Sequence, residues 1–457
     1  MQRLSHDTSN AIPILPFQPE PFQQWLGTQD AMTQAWVRHN PFTAAPENTL
    51  LLPDANGMLR AVLVGCDARA PIWCLAHLPA VIPAGTYRLD ADWTAEQMAD
   101  AALGFLLAQY QFGKYKKLER KELTLALPKH VALEPIERRY DAIALTRDLI
   151  NTPPNDMSPA ALADAANQLA QAQGAEITVI SGEDLLKENF PAVHAVGRAS
   201  SAAPQFIDLR WGNPDHPLVV LVGKGVTFDT GGLDLKPLSA MKLMKKDMGG
   251  AAIALGLSQL IMTEKLPIRL RLLIPAVENM VGGNAFRPQD ILQTRKGITV
   301  EVGSPDAEGR IILADALAEG DRANPALMVD FATLTGAARA GLGTELPALY
   351  SNRDDVALAI VTHAMKVADP MWHMPLWQGY AKYLASPVAD ITNSPNYSFG
   401  GSITAALFLE KFVSPSTPWV HIDTYAWNPE PLPGRPPGGE ALGLRALFGY
   451  LKERFGN

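Results

Sequence analysis

Five apolar runs recur between Ile177 and Thr424: ITVIS, PLVVLVG, LRLLIPA, ALMVDFATL and PWVHIDT. They are separated by the helical stretches GGAAIALGLSQLIMTE, RIILADALAE and SITAALFLEKFV. Hydrophobicity within the runs is continuous rather than alternating, so each strand must be covered on both faces. That requirement points to a mixed, mostly parallel sheet with helices on both sides. In such sheets chemistry collects beyond the carboxyl ends of the strands. The stretch GKGVTFDTGGLDLKP, Gly223 to Pro237, follows PLVVLV at one of those ends. Its glycines are expected to turn the backbone sharply between strand end and site.

Upstream of Glu137 the pattern is also α/β, with short apolar runs such as MLRAVLVGCD and APIWCLAHLP and a helical stretch near AEQMADAALGFLLAQYQFG. In RYDAIALTRDLINTPPNDMSPAALADAANQLAQA, Ile143, Leu145, Leu149 and Ile150 favour a helix that Pro153 and Pro154 must end. A new helix starts with Ser158 as cap and Pro159 in its first turn. At 457 residues the chain exceeds one ordinary core. The expected organisation is a smaller N-terminal α/β domain over 1–137, structural or regulatory in role. A linking helix and Pro-rich junction follow over 138–155, then a larger catalytic domain over 156–457.

With 47 acidic against 39 basic residues the net charge is −8, which argues against a nucleic-acid or anionic-membrane binder. The start, MQRLSHDTSNAIPILPF, lacks the apolar segment of a secretory signal, and no apolar run approaches the ~20 residues that span a bilayer. The two cysteines, Cys66 and Cys74, fit neither a CxxC pair nor a zinc knuckle and are expected to be buried thiols of a cytoplasmic protein.

The glycine-rich stretch is no Walker loop, because its lysine follows the first glycine, and the chain has neither a G-x-S-x-G elbow nor H-E-x-x-H. What remains is a carboxylate-rich constellation: Lys224, Asp229 and Lys236, then Asp247 in KKDMGGAA, then Asp306, Glu308 and Arg310 in GSPDAEGRI. Carboxylates without histidine or cysteine suit manganese, zinc or magnesium. Singly, each has a plainer reading: Asp229 as a turn residue, the lysines as solvated, Asp247 and Asp306 as helix N-caps, Glu308 as a dipole complement. Arg310 fits that account least, since a cation in a first helical turn opposes the dipole, whereas it completes an anion site. The blocks fall together at strand-to-helix turns, which favours a site over coincidence.

The series GKGVTFDTGGLDLKP, MKLMKKDMGGAAIA and PDAEGRI resembles the signature of the leucyl (cytosol) aminopeptidase family of two-metal exopeptidases. RDLINTPPNDMSP, FATLTGAARAGLG, SPVADITN, GSITAALFLEKFV and WVHID extend the resemblance over roughly Asp141 to Leu447. The resemblance implies that Asp229 and Glu308 bridge two metal ions, with Lys224 and Asp247 completing one shell and Asp306 the other. Lys236 would polarise the scissile carbonyl, and Arg310 would hold a bicarbonate ion that relays protons. Met244, Thr333 and Gly336 match positions lining the pocket for the first side chain, and Leu334 one near the bound peptide. Met241 and Met248 are expected in the core, and His421 and Asp423 as structural, hydrogen-bonded groups. The same resemblance implies short peptide substrates and a homohexamer.

Three departures stand out. Ser304 and Pro305 replace the family's Asn-Thr, the N-terminal domain is short, and a Pro-rich insert in NPEPLPGRPPGG is expected beside the specificity pocket. Two alternatives carry other chemistry: a DNA-binding regulator of the same fold, and a two-metal phosphoesterase sharing only the carboxylate logic.

Overall fold

The computed structural model describes residues 3–67, 69–118 and 121–456, which divide into two compact units. The first comprises Met1–Ala144 with Glu430–Pro437, the second Leu145–Pro429 with Gly438–Asn457.

In the first unit a six-stranded sheet orders Leu4–Ser5, Leu123–Ala126, Gly85–Leu89, Ile12–Phe17, Leu59–Gly65 and Thr49–Pro53. All neighbours are parallel except the last pair. The helix Ala95–Leu107 begins with a capping box, Thr94 accepting from the Gln97 N–H and Gln97 from that of Thr94. Cys66 and Cys74 are buried here as free thiols. The Pro-rich insert belongs to this unit: Arg435 lies 5.1 Å from the Trp73 ring centroid, and Gly434 packs against Trp73 and Ala76.

The second unit is built on a nine-stranded mixed sheet among the described residues. At its centre Leu218–Gly223 runs parallel to both neighbours, Leu327–Ala332 and Arg269–Asn279. All six residues of Leu218–Gly223 are buried, as the continuous apolar run requires. Val220 and Val222 join a core with the helices Glu308–Asp321, Gly401–Glu410 and Pro191–Gly197. The helix Gly249–Thr263 packs on the same strand and on Leu327–Ala332, and meets Pro159–Gln173 and Leu444–Phe455. Trp419–Asp423 extends the parallel ladder beyond Leu327–Ala332. Antiparallel pairs flank it: Ala348–Ser351 beside Trp419–Asp423, and Gln205–Trp211 beside Arg269–Asn279.

The helix Glu134–Asn151 stops before Pro153, and Pro159–Gln173 opens with the Ser158 hydroxyl accepting from the Ala161 N–H. No described helix is long and apolar enough to cross a membrane.

Candidate active site

The strand Leu218–Gly223 ends at Lys224, whose side chain is buried. The next residues do not turn away as the glycine content implies. Gly225–Asp229 forms a short strand parallel to the end of Arg269–Asn279, and this ladder places Asp229 opposite Asn279. Only then does the chain turn, at Gly231 and Gly232, with φ of 86° and 62°, values that suit residues without a Cβ. Lys236 follows.

Met244, Lys246 and Asp247 sit on the 3-10 turn Met244–Met248, directly before the helix Gly249–Thr263. Asp247 is therefore not that helix's N-cap. Asp306 lies in the turn Pro305–Ala307, whose cap is the Ser304 hydroxyl accepting from the Asp306 N–H. Glu308 and Arg310 occupy the first turn of Glu308–Asp321. Between them, Gly309 leaves room for Lys224: a Cβ there would stand 2.4 Å from the lysine Cε. Met248 is buried, but Met241 is only half-buried on a helix with no buried residue, so it is not a core residue.

These blocks converge. The Lys224 Nζ lies 2.8 Å from Asp247 Oδ2 and 2.9 Å from Glu308 Oε1. The Lys236 Nζ lies 2.9 Å from Asp229 Oδ2 and 2.5 Å from Asp306 Oδ1. Asp229, Asp306 and Glu308 each bring one carboxylate oxygen within 4.8 Å of the others. Four carboxylates thus face two ammonium groups, an excess of negative charge that a cation would neutralise. Glu308 Oε2 is buried without a partner, and Glu308 Oε1 and Asp247 Oδ2 are buried with the Lys224 ammonium as their ion-pair partner. Buried acceptors left this way are costly, and carboxylates of this kind are hard-cation ligands. The donor set fits divalent metal ions.

Charge and burial compete throughout. Burial pushes the Glu308 carboxyl up to about 8, with the adjacent Asp229 charge adding to it. The same two causes raise Asp306 to about 6. Burial opposes the Lys224 ammonium, yet Asp247, Glu308 and Asp229 outweigh it and hold that group above its ordinary value. Lys236 behaves likewise, with Asp229 foremost among its neighbours. Burial also lowers the Arg310 guanidinium to about 10. Its Nη1 donates to the Asn393 carbonyl at 2.7 Å, while its Nε is buried without a partner.

A cavity of about 440 Å³ opens over the cluster. Lys224, Asp229, Lys236, Asp247 and Asp306 line it, together with Met244, Thr333, Leu334 and Gly336. Glu308 and Arg310 are buried and do not line it. Asp423 is fully bonded, accepting from the Leu334 and Thr335 N–H groups and the Thr335 hydroxyl, and His421 Nδ1 lies 2.6 Å from Asp330 Oδ1. Asp234 is exposed but accepts from the Ser304 hydroxyl at 2.6 Å, so this departure residue ties the two loops together.

Two residues outside the sequence motifs hold the cluster. Asn279 donates to Asp229 Oδ1 at 2.8 Å and to the Pro305 carbonyl at 3.1 Å. Asn393 accepts from the Gly303 N–H and donates to the Ser304 and Ala307 carbonyls. The position of Asn279 at a strand end, beyond LRLLIPA, was the one local signal for it.

Residues 144–448 match the family described as "Cytosol aminopeptidase family, catalytic domain", and residues 12–128 match "M17 aminopeptidase, N-terminal domain". The chain is 40% identical over 368 residues to a probable cytosol aminopeptidase of Syntrophotalea carbinolica, covering 77% of this chain and 74% of the relative. It is 40% identical over 382 residues to one of Roseiflexus castenholzii, covering 79% and 78%. Among solved structures, the cytosol aminopeptidase from Coxiella burnetii superposes with a TM-score of 0.96 at 48% identity over 99% of both chains. The bottromycin maturation enzyme BotP in complex with Mn superposes with a TM-score of 0.88 at 33% identity, over 97% of this chain and 99% of that one.

Proposed function

The chain belongs to the cytosol aminopeptidase family, a family of metal-dependent peptide hydrolases, and on that premise we propose that it removes the N-terminal residue from short peptides at the Lys224 to Arg310 cluster. In this reading Asp229, Glu308, Asp247, Asp306 and Lys224 would hold two metal ions, with Asp229 and Glu308 contributing to both, Asp247 to one and Asp306 to the other. Lys224 would join Asp247 as the neutral amine once the bound cation has displaced its proton. When bound, such ions activate water, polarise the scissile carbonyl and take the substrate's free amine. The remaining work falls to the chain's own groups. Lys236, set between Asp229 and Asp306, donates to the oxyanion that develops on the carbonyl, a contribution typically worth about 3 kcal/mol. Arg310, whose Nε is buried without a partner, would hold a bicarbonate ion, which would supply a proton relay. Met244, Thr333 and Gly336 receive the first side chain, and Leu334 flanks the peptide.

The observation that carries this reading is the convergence of Asp229, Asp306 and Glu308 oxygens within 4.8 Å of one another, with Glu308 Oε2 buried and unpartnered. Manganese is favoured over zinc, because BotP was solved with Mn. Magnesium is a third candidate. The reading extends to a homohexamer in the cytoplasm, for which a solution mass six times 49.4 kDa is the check on assembly. Family membership sets the phosphoesterase alternative aside.

The test is a panel of aminoacyl-arylamides run with manganese, zinc or magnesium restored to the metal-stripped protein, alongside Glu308→Ala. Glu308→Ala is expected to abolish turnover and bound metal with the fold intact by circular dichroism. Turnover retained with two metals bound would overturn the assignment.

A further inference from the structure

Two cations on the cavity wall are not spoken for by the proposed chemistry. Lys224 and Lys236 are each paired with two carboxylates, whereas Lys246 and Arg339 make no ion pair and no side-chain hydrogen bond among the described residues. Both instead face one aromatic ring. The Lys246 Nζ lies 4.6 Å from the centroid of Tyr425, and the Arg339 guanidinium carbon lies 5.3 Å from it. Lys246 is 5% exposed, so its charged end is largely withdrawn from water, with a π face against it and no carboxylate at ion-pair distance among the described residues. A ring face repays part of that cost, while a carboxylate would repay far more.

The wall's own carboxylates do not fill that role. Asp229 and Asp306 meet Lys236, Asp247 meets Lys224 and the Thr333 hydroxyl, and Asp423 is bonded by Leu334 and Thr335. Lys246 stands two residues from Met244, on the same 3-10 turn, and Arg339 three residues from Gly336, on the helix Gly336–Leu342. Lys246 and Arg339 line the same cavity as Met244 and Gly336, the residues that receive the first side chain in the proposed reading.

We propose that Lys246, Arg339 and Tyr425 form an anion-selective wall of the first-residue pocket, so that the enzyme favours peptides beginning with glutamate or aspartate over those beginning with lysine or arginine. This rests on the aminopeptidase reading of the same site. The Tyr425 ring keeps both cations within close reach of one another, and the substrate carboxylate takes charge-assisted bonds from them. Unlike a purely apolar pocket, which separates homologues weakly, such a wall rejects a like charge strongly.

The experiment measures kcat/KM of the manganese-loaded protein for Glu-, Asp-, Leu-, Met- and Lys-arylamides, then repeats Glu and Leu with Lys246→Met and Arg339→Gln, with metal content determined for each protein. Glu is expected to exceed Lys by about a hundredfold. Lys246→Met is expected to lower the Glu to Leu ratio about tenfold, and Arg339→Gln, at an exposed position, about threefold. Lys cleaved as well as Glu, or a ratio unmoved in both variants, overturns the proposal while leaving the aminopeptidase reading intact. Failure on every arylamide with metal bound overturns both. Should Lys246→Met lose metal or fold, the wild-type Glu to Lys comparison and Arg339→Gln still decide.

Discussion

The two lysines of the cluster have the same charge and nearly the same surroundings, yet the proposed chemistry asks different things of them. Lys224 is fully enclosed between Asp247 and Glu308 and has Gly309 cut away to admit it. Lys236 reaches Asp229 and Asp306 from the cavity side and stays partly open to a substrate. An ammonium in that position can follow a carbonyl oxygen as it gains charge, which makes it a transition-state donor more than a ligand. Lys236→Ala is accordingly expected to cut kcat by a factor of about 10² to 10³ with KM little changed and both metals retained. Metal analysis and steady-state kinetics on the same preparation check it. Loss of metal in this variant would make Lys236 a structural counter-charge instead.

At the level of elements, the site depends on a turn that is short of its own bonds. Gly303 to Ala307 precedes the helix Glu308–Asp321 and carries Asp306, but Asn393, some 86 residues away in sequence, stitches it together. The same residue's carbonyl accepts from Arg310. Asn393→Ala would strand the part-buried Gly303 N–H and the Ser304 and Ala307 carbonyls while keeping the backbone carbonyl that meets Arg310, at an expected cost of about 1 to 3 kcal/mol in stability. Manganese affinity should fall about tenfold as Asp306 loses its support. Urea unfolding and metal titration measure the two effects, and an unchanged metal affinity would separate Asn393 from the site. This division marks what the sequence made legible. The ligand blocks declare themselves because glycine, lysine and carboxylate must sit close together along the chain. Asn279 and Asn393 act across distances that no local pattern records. The strand Gln205–Trp211 escaped for a related reason: QFIDLRW carries Asp208, which looks like a surface residue until Arg271 of the neighbouring strand is seen to bond both its oxygens. The glycines of Gly223–Gly232 misled in the opposite sense, since their residues from Gly225 to Asp229 are a strand before they are a turn.

Across the whole molecule, the two units have separate cores, one centred on Phe22, Leu52 and Leu63, the other on the apolar strands and helices around Val220, Ile312 and Phe408. Every proposed ligand lies in the second unit. A ligand stabilises only the structure that binds it, by about 2.7 kcal/mol at a hundredfold excess over its Kd. For a unit of this size that corresponds to a shift of about 4 °C in melting temperature. Calorimetry of the metal-stripped protein is therefore expected to show manganese moving the transition of the second unit and leaving that of the first in place. Glu308→Ala, lacking a shared ligand, should remove the shift without merging the transitions. If both transitions move together, folding of the two units is coupled. If neither moves while manganese is demonstrably bound, the metal lies outside the Lys224 to Glu308 cluster, and the ligand assignment fails with it.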